Sequence, residues 1–202
     1  GVFTPEQGLL EIQENDLLEI GSFDLGSAFY LGIKNGFLSE KVMNSRSWFA
    51  GVTETSFAKK QMQIPYFTNQ EVPAFTASKV KLNLEWFTSK VIEAYPGPEW
   101  NLLDSNSREL LQFKEFTISD LKNRMAFQLV ELLTNELPEM ATAPVFPGIV
   151  QLTSGGKLLI LMKDGQVTGG YPRILQLTYE ALSILAQKNP NDKIRFQLKE
   201  LI

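Results

Sequence analysis

The chain of 202 residues contains neither cysteine nor histidine. Without them it cannot form a disulfide, present a thiolate nucleophile, complete a Ser-His-Asp triad or hold zinc through imidazole. Carboxylates, lysine, tyrosine and arginine are left for chemistry, and no metal site is expected. Excess charge is lacking too: 19 Lys and Arg against 23 Asp and Glu leave a net charge of −4. Binding nucleic-acid phosphates needs a concentrated basic surface, so nucleic acid is not an expected partner. No apolar run is long enough to span a bilayer, and Gly1-Val-Phe-Thr-Pro-Glu6 has neither the basic start nor the apolar core of a signal peptide. No membrane association is expected, and the lack of cysteine agrees with a cytoplasmic location.

What is present is ordinary globular material. With 44% hydrophobic and 11% aromatic residues, the chain can bury a core in one large domain or two small ones. Short apolar, β-branched and aromatic runs are broken repeatedly by Gly, Pro, Asn and Asp, which predicts a mainly β fold with a few short helices. Strands are expected over residues 17–20, 27–33, 90–95, 126–129, 148–152, 158–162, 174–177 and 193–198. Ser154-Gly-Gly156 reads as a hairpin turn and Asp164-Gly165 as a turn following a strand. Asn106, with Glu109 three residues on, resembles a capping box opening a helix through Leu110, Leu111 and Phe113. Thr178 can cap a second helix over 179–187, which Asn189-Pro190 stops and which is expected to plug a barrel end. Residues 68–81, with Pro73 among Thr, Ser and Ala, are the expected linker between an N-terminal part, 1–67, and a barrel, 82–202.

The stretch Asp164-Gly-Gln-Val-Thr-Gly-Gly-Tyr-Pro-Arg-Ile174 is the most informative. Gly169 and Gly170 allow positive φ or close backbone approach, and Pro172 fixes the exit. Such a loop either holds a ligand or turns a tight corner of a β-barrel. Arg173, Arg124 and Arg46 each offer a planar fork for a carboxylate or phosphate, or brace a loop through neighbouring carbonyls. Tyr171 and Thr168 supply hydroxyls suited to orienting a polar substrate, although Tyr171 fits equally as a packed aromatic. Lys163-Asp164 beside Gln166 suits proton transfer or carboxamide recognition, or simply an exposed turn. Trp48, Trp86 and Trp100 suit the wall of a pocket or, more commonly for large aromatics, core packing, and no site is drawn from them. Gly155-Gly156-Lys157 lacks the spacing and the Ser/Thr of a phosphate-binding loop.

Four blocks, in order, carry a resemblance to a known family. They are Phe29-Tyr-Leu-Gly-Ile-Lys-Asn-Gly-Phe37 with Asn44-Ser-Arg-Ser47; Tyr95-Pro-Gly-Pro98 with Asn123-Arg-Met-Ala-Phe-Gln-Leu129; Pro147-Gly-Ile-Val-Gln-Leu152; and the Gly169-Gly-Tyr-Pro172 loop. Together they resemble the carboxyltransferase subdomain family, variously called allophanate hydrolase subunit 2, antagonist of the sporulation kinase inhibitor, and the 5-oxoprolinase C subunit. The chain departs from the family pattern at Asn35, Asn44 and Ala126, where glycine is usual, at Lys122-Asn123 in place of Ser-Asp, and at Gln128 in place of arginine. The resemblance implies a cyclophilin-like β-barrel, a further N-terminal segment in the longer protein, and substrate binding by Arg46, Asn123, Arg124, Gln166, Thr168, Gly169, Gly170, Tyr171 and Arg173. It implies one component of a bacterial ATP-dependent 5-oxoprolinase complex that opens a small lactam or amide, with A-like and B-like sister subunits as partners. ATP would be used by that complex, with no cofactor bound by this chain, which shows no nucleotide motif. Related readings are carboxyl transfer to urea, for which no biotin-accepting lysine motif is found, and a non-catalytic binding module that regulates a kinase inhibitor through a sister subunit.

Overall fold

The computed structural model describes residues 12–68, 84–138 and 140–200. The expected linker falls, from residue 69 onward, outside them. The chain divides into two compact units, one of Gly1–Leu10 and Phe29–Val80, the other of Glu11–Ala28 and Lys81–Ile202.

The second unit is mainly β. Its elements are α1 (Glu85–Thr88), β1 (Val91–Pro96), a 3-10 turn (Trp100–Leu102), α2 (Ser105–Phe113), β2 (Phe116–Lys122), β3 (Ala126–Leu132), β4 (Ala143–Pro144), β5 (Ile149–Leu152), β6 (Lys157–Leu161), β7 (Thr168–Gly169), β8 (Arg173–Leu177), α3 (Tyr179–Ala186) and β9 (Lys193–Leu198). Seven strands close a barrel in the order β1-β8-β5-β6-β3-β2-β9. Closure is made by β1 running parallel to β9, with Val91 opposite Arg195 and Ala94 opposite Leu198. Every other barrel pairing is antiparallel, and closing the sheet leaves it without an exposed edge.

The interior is filled by side chains alternating inward along these strands, among them Ile92, Phe116, Ile118, Leu129, Val150, Leu158, Ile160 and Phe196. Phe116 and Phe196 meet at 5.5 Å between ring centroids. Helix α3 adds Ala181, Leu182 and Leu185 to the same core, so an apolar helix face closes part of the barrel as its spacing predicts. Between Val150 and Gln151 the β5–β8 register slips by one residue, a bulge at which both Ile174 and Leu175 join the interior core.

The β4–β7 pair is a separate two-stranded ribbon, Ala143 opposite Gly169 and Pro144 opposite Thr168. Val145 joins Ile149 and Leu161 in a second apolar cluster, with Ala126 against it. Since Val150 and Leu152 face the barrel interior, Ile149 and Gln151 share the opposite face of β5, which is buried all along its length.

Several expectations are corrected. Residues 17–20 and 27–33 form no strand; their apolar runs have a suitable composition, but a strand exists only where another chain segment takes its ladder hydrogen bonds. The strand β2 was not expected, because only its first half alternates before Asp120, Leu121 and Lys122 break the pattern. The cap of α2 is Asp104, whose carboxylate accepts from the Ser107 N–H at 2.6 Å, so Asn106 lies within the helix. Thr178 caps α3 as expected, its hydroxyl accepting from Ala181 N–H at 3.1 Å. In the first unit, Asn35 (φ 66°) and Asn44 (φ 64°) occupy left-handed conformations, which asparagine tolerates better than other residues with a Cβ and which accounts for its standing where the family has glycine.

Candidate functional site

The Gly-Gly-Tyr-Pro loop and the Tyr95-Pro-Gly-Pro98 segment meet on the barrel. Gly97 N–H donates to Ile174 O at 2.9 Å, and Glu99 N–H to Arg173 O at 3.2 Å. A Cβ on Gly97 would fall 2.1 Å from Arg173 O, so glycine is required by close backbone approach. The crossing delivers Glu99, only 7% exposed, to Arg173. Arg173 donates from Nε to Glu99 Oε2 (2.9 Å) and from Nη2 to Glu99 Oε1 (2.7 Å), while its backbone N–H also donates to Oε2 (2.8 Å). Its Nη1 reaches Pro144 O in the ribbon at 3.1 Å.

This is the bidentate fork-to-fork arrangement. Hydrogen bonds from the Arg173 side chain hold the Glu99 carboxyl below the usual glutamate range against the opposing effect of burial, and the same bonds raise Arg173. The guanidinium is therefore engaged within the chain and braces β8, the Glu99 turn and the ribbon. Of the two roles open to it, the structure gives Arg173 the bracing one. Glu99 was missed by sequence reasoning; an acid directly after a Pro-Gly-Pro turn was its only signal.

Arg124 and Asn123 sit in the turn between β2 and β3. Asn123 Oδ1 accepts from Met125 N–H (2.8 Å) and Ala126 N–H (3.1 Å), stabilising that turn. Arg124, 78% exposed, pairs through Nε with Asp164 Oδ2 at 2.7 Å, and Asp164 N–H donates to Arg124 O at 2.9 Å. The two turns are thus tied together at the surface. Arg46 belongs to the first unit, where Nη1 bonds Ser39 O, Ser39 Oγ donates to Arg46 O at 2.7 Å, and the guanidinium lies 5.6 Å from the Phe67 ring centre.

Gly169 and Gly170 do not use positive φ; both permit close approach instead. A Cβ on Gly170 would stand 3.1 Å from Met140 O, and one on Gly169 would stand 2.5 Å from Gln151 Nε2. Gln151 is fully buried beneath the loop. Its Oε1 accepts from Nε2 of the exposed Gln166 at 3.1 Å. Thr168 lies exposed in the ribbon, and Tyr171 is 39% exposed beside it. Gln166, Thr168, Gly169, Gly170, Tyr171 and Arg173 are therefore gathered around the ribbon, whereas Asn123 and Arg124 reach the region only through Asp164. Gln151 was quoted in a motif but not singled out; a glutamine inside the run Ile149-Val-Gln-Leu152 was the available signal.

A mainly β, helix-poor closed barrel agrees with the cyclophilin-like barrel that the family resemblance implies. The chain belongs to the family of the carboxyltransferase domain, subdomain A and B, whose pattern matches residues 3–198. It is 26% identical over 199 residues to the 5-oxoprolinase C subunit of Haemophilus influenzae, covering 95% of this chain and 62% of that protein. To the 5-oxoprolinase C subunit of Escherichia coli it is 33% identical over 107 residues, 52% of this chain and 34% of that protein. The chain thus spans between a third and two thirds of the length of these curated relatives. Among solved structures it is similar to the urea amidolyase of Kluyveromyces lactis (TM-score 0.63, 17% identity, 82% of this chain and 12% of that one). The urea carboxylase of the same yeast gives a TM-score of 0.61 at 18% identity, covering 82% and 17%. At these identities the structures speak for the fold alone.

Proposed function

We propose that this chain is the barrel-bearing part of a 5-oxoprolinase-type protein, acting in a cytoplasmic, ATP-dependent complex that opens the lactam of 5-oxoproline to glutamate. The observation that carries the reading is the gathering of the blocks at residues 95–98, 147–152 and 169–172 around one ribbon, in a chain aligned over 95% of its length with a 5-oxoprolinase C subunit. The polar groups there suit the neutral amide group of a lactam. Arg173 is neutralised by Glu99 and Arg124 by Asp164, while Gln151, Gln166, Thr168 and Tyr171 offer neutral donors and acceptors. Lactam opening needs a polarised carbonyl, an activated attacking group and a phosphorylated intermediate. This chain's residues would bind and orient the lactam; the A-like and B-like sister subunits would supply the nucleotide and the phosphoryl chemistry.

The test is glutamate release from 5-oxoproline by the full-length protein mixed with both sister subunits and ATP. Removing the Tyr171 hydroxyl with Tyr171→Phe is expected to lower kcat/KM about tenfold, the effect of one lost hydrogen bond to substrate, with complex formation unchanged. Arg124→Ala, which breaks only an exposed pair, is expected to cost no more than about threefold. A Tyr171→Phe complex as active as wild type would remove the substrate from this ribbon.

A further inference from the structure

Two lysines that the proposed reaction does not use meet at the C-terminal end of α3. Lys188 is only 3% exposed, and its Nζ donates to Phe87 O in α1 at 2.8 Å. Lys122 Nζ donates to Lys188 O and to Ser27 Oγ (3.2 Å), and it lies 5.1 Å from the centre of the Phe127 ring. Neither amine makes an ion pair among the described residues. Burial therefore holds both below the ordinary lysine range, against the weaker pull of Asp192. The same helix end also fastens residues 26 and 27. Ser27 N–H donates to Gln187 Oε1 (3.2 Å), Ser27 Oγ to Ala186 O (3.0 Å), and Asn189 Nδ2 to Gly26 O (3.2 Å). Gly26 has a φ of +81°, and a Cβ there would stand 2.6 Å from Gln187 Oε1 and 3.1 Å from the Phe87 ring, so the approach requires glycine.

The place of these contacts in the chain gives them a meaning. All lie within the second unit, which the chain leaves after Ala28 for Phe29–Val80 and re-enters at Lys81. Gly26 and Ser27 stand just before the first of those crossings and α1 just after the second. Both stems are thus held at the end of α3, one through Lys122 and the other through Lys188. Apolar burial adds little to their hold: α1 has four residues, none of them buried, and neither Gly26 nor Ser27 joins the core. So short a helix does not stand by itself. We infer that Lys122 and Lys188 form a clasp that holds both stems to α3 and opens as a unit of its own while the barrel stays folded. Opening returns two ammonium groups to water, which offsets part of the hydrogen bonding that is lost. The barrel strands have no such release, because their ladders close on one another around a buried core. Lys188 O accepts from Lys122 Nζ, so the two halves of the clasp are linked and loosen together.

The experiment is hydrogen exchange of the full-length protein, resolved to single amides. Ser27 N–H reports on the first stem, Phe87 and Ser89 N–H on the second, and Leu129 and Ile160 on the barrel. In the wild type, the stem amides are expected to exchange about a hundredfold faster than the barrel amides, and at one common protection. Lys122→Met and Lys188→Met are each expected to speed both stems about tenfold, the effect of one lost hydrogen bond, with the barrel amides unmoved. Gln187→Ala, at a half-buried position, carries the same expectation should a lysine substitution fail to fold, and Lys157→Met, on the exposed edge of β6, is expected to change neither stem. Three results would overturn the inference: stem amides exchanging no faster than the barrel, each substitution loosening only the stem that its own side chain touches, or stems that keep their wild-type rates in all three variants.

Discussion

Glu99 couples pH to stability at the scale of single residues. Its folded carboxyl titrates below the ordinary glutamate range because Arg173 donates to it, so on acidification the unfolded chain binds the proton first. The stabilisation is complete above the ordinary glutamate range and is lost as pH falls through the depressed folded value. Glu99→Gln should therefore flatten the acid limb of a stability profile measured by urea unfolding across pH, and cost about 3 kcal/mol at pH 7 by leaving Arg173 half-buried without its counter-charge. An unchanged acid limb would refute the role given to Glu99. Glycines offer a second contrast. Gly97→Ala drives a methyl group onto the Arg173 carbonyl and should lower stability by about 3 kcal/mol or more, whereas Gly155→Ala, with its nearest neighbour 3.9 Å away, should be neutral or slightly stabilising in the same urea assay. At this scale the sequence was only half legible. Arg173 stood out as a buriable arginine, but its partner lies 74 residues earlier, and nothing local announces a contact over that distance.

Helix starts and strand ladders separate what was legible at the scale of elements from what was not. Thr178 was readable because a threonine directly before an apolar period has one local job. Thr178→Ala should cost about 1 kcal/mol in thermal unfolding by leaving the Ala181 N–H unpaired. Asp104 and Asn106 were harder to separate, since both precede the same apolar face and either carboxylate or carboxamide can cap. The geometry decides for Asp104, so Asp104→Ala should lower the melting temperature while Asn106→Ala should not. Residues 193–198 were legible to the residue because their alternation is unbroken, apolar side chains inward and polar ones outward. The strand β2 was not, since its second half turns outward with Leu121 exposed and Asp120 and Lys122 beside it. Residues 17–20 show the converse failure: apolar content without a partner strand makes no ladder.

For the whole molecule, the barrel's closure joins segments that are remote in sequence, and the parallel β1–β9 pair binds the first strand of the barrel to the last. Its core should unfold as one unit, so Phe116→Ala, which empties the centre beside Phe196, should cost about 4 kcal/mol and weaken every barrel strand together in hydrogen exchange. A mainly β fold was readable from short runs and turns, but the ribbon over β5 was not, because Ala143–Pro144 and Thr168–Gly169 are only two residues each and include Ala, Pro and Gly, poor strand formers. The candidate site inherits that limit. Its loop was conspicuous, while Gln151, which lies under it, was hidden in an apolar run.

The account stands most directly on one measurement: glutamate formed from 5-oxoproline and ATP by the two sister subunits, with and without the full-length protein containing this chain. The account predicts release that depends on its presence and that Tyr171→Phe reduces about tenfold while the complex still assembles. Release at the same rate without it, or none from an assembled complex, would contradict the claim that this barrel belongs to a lactam-opening enzyme.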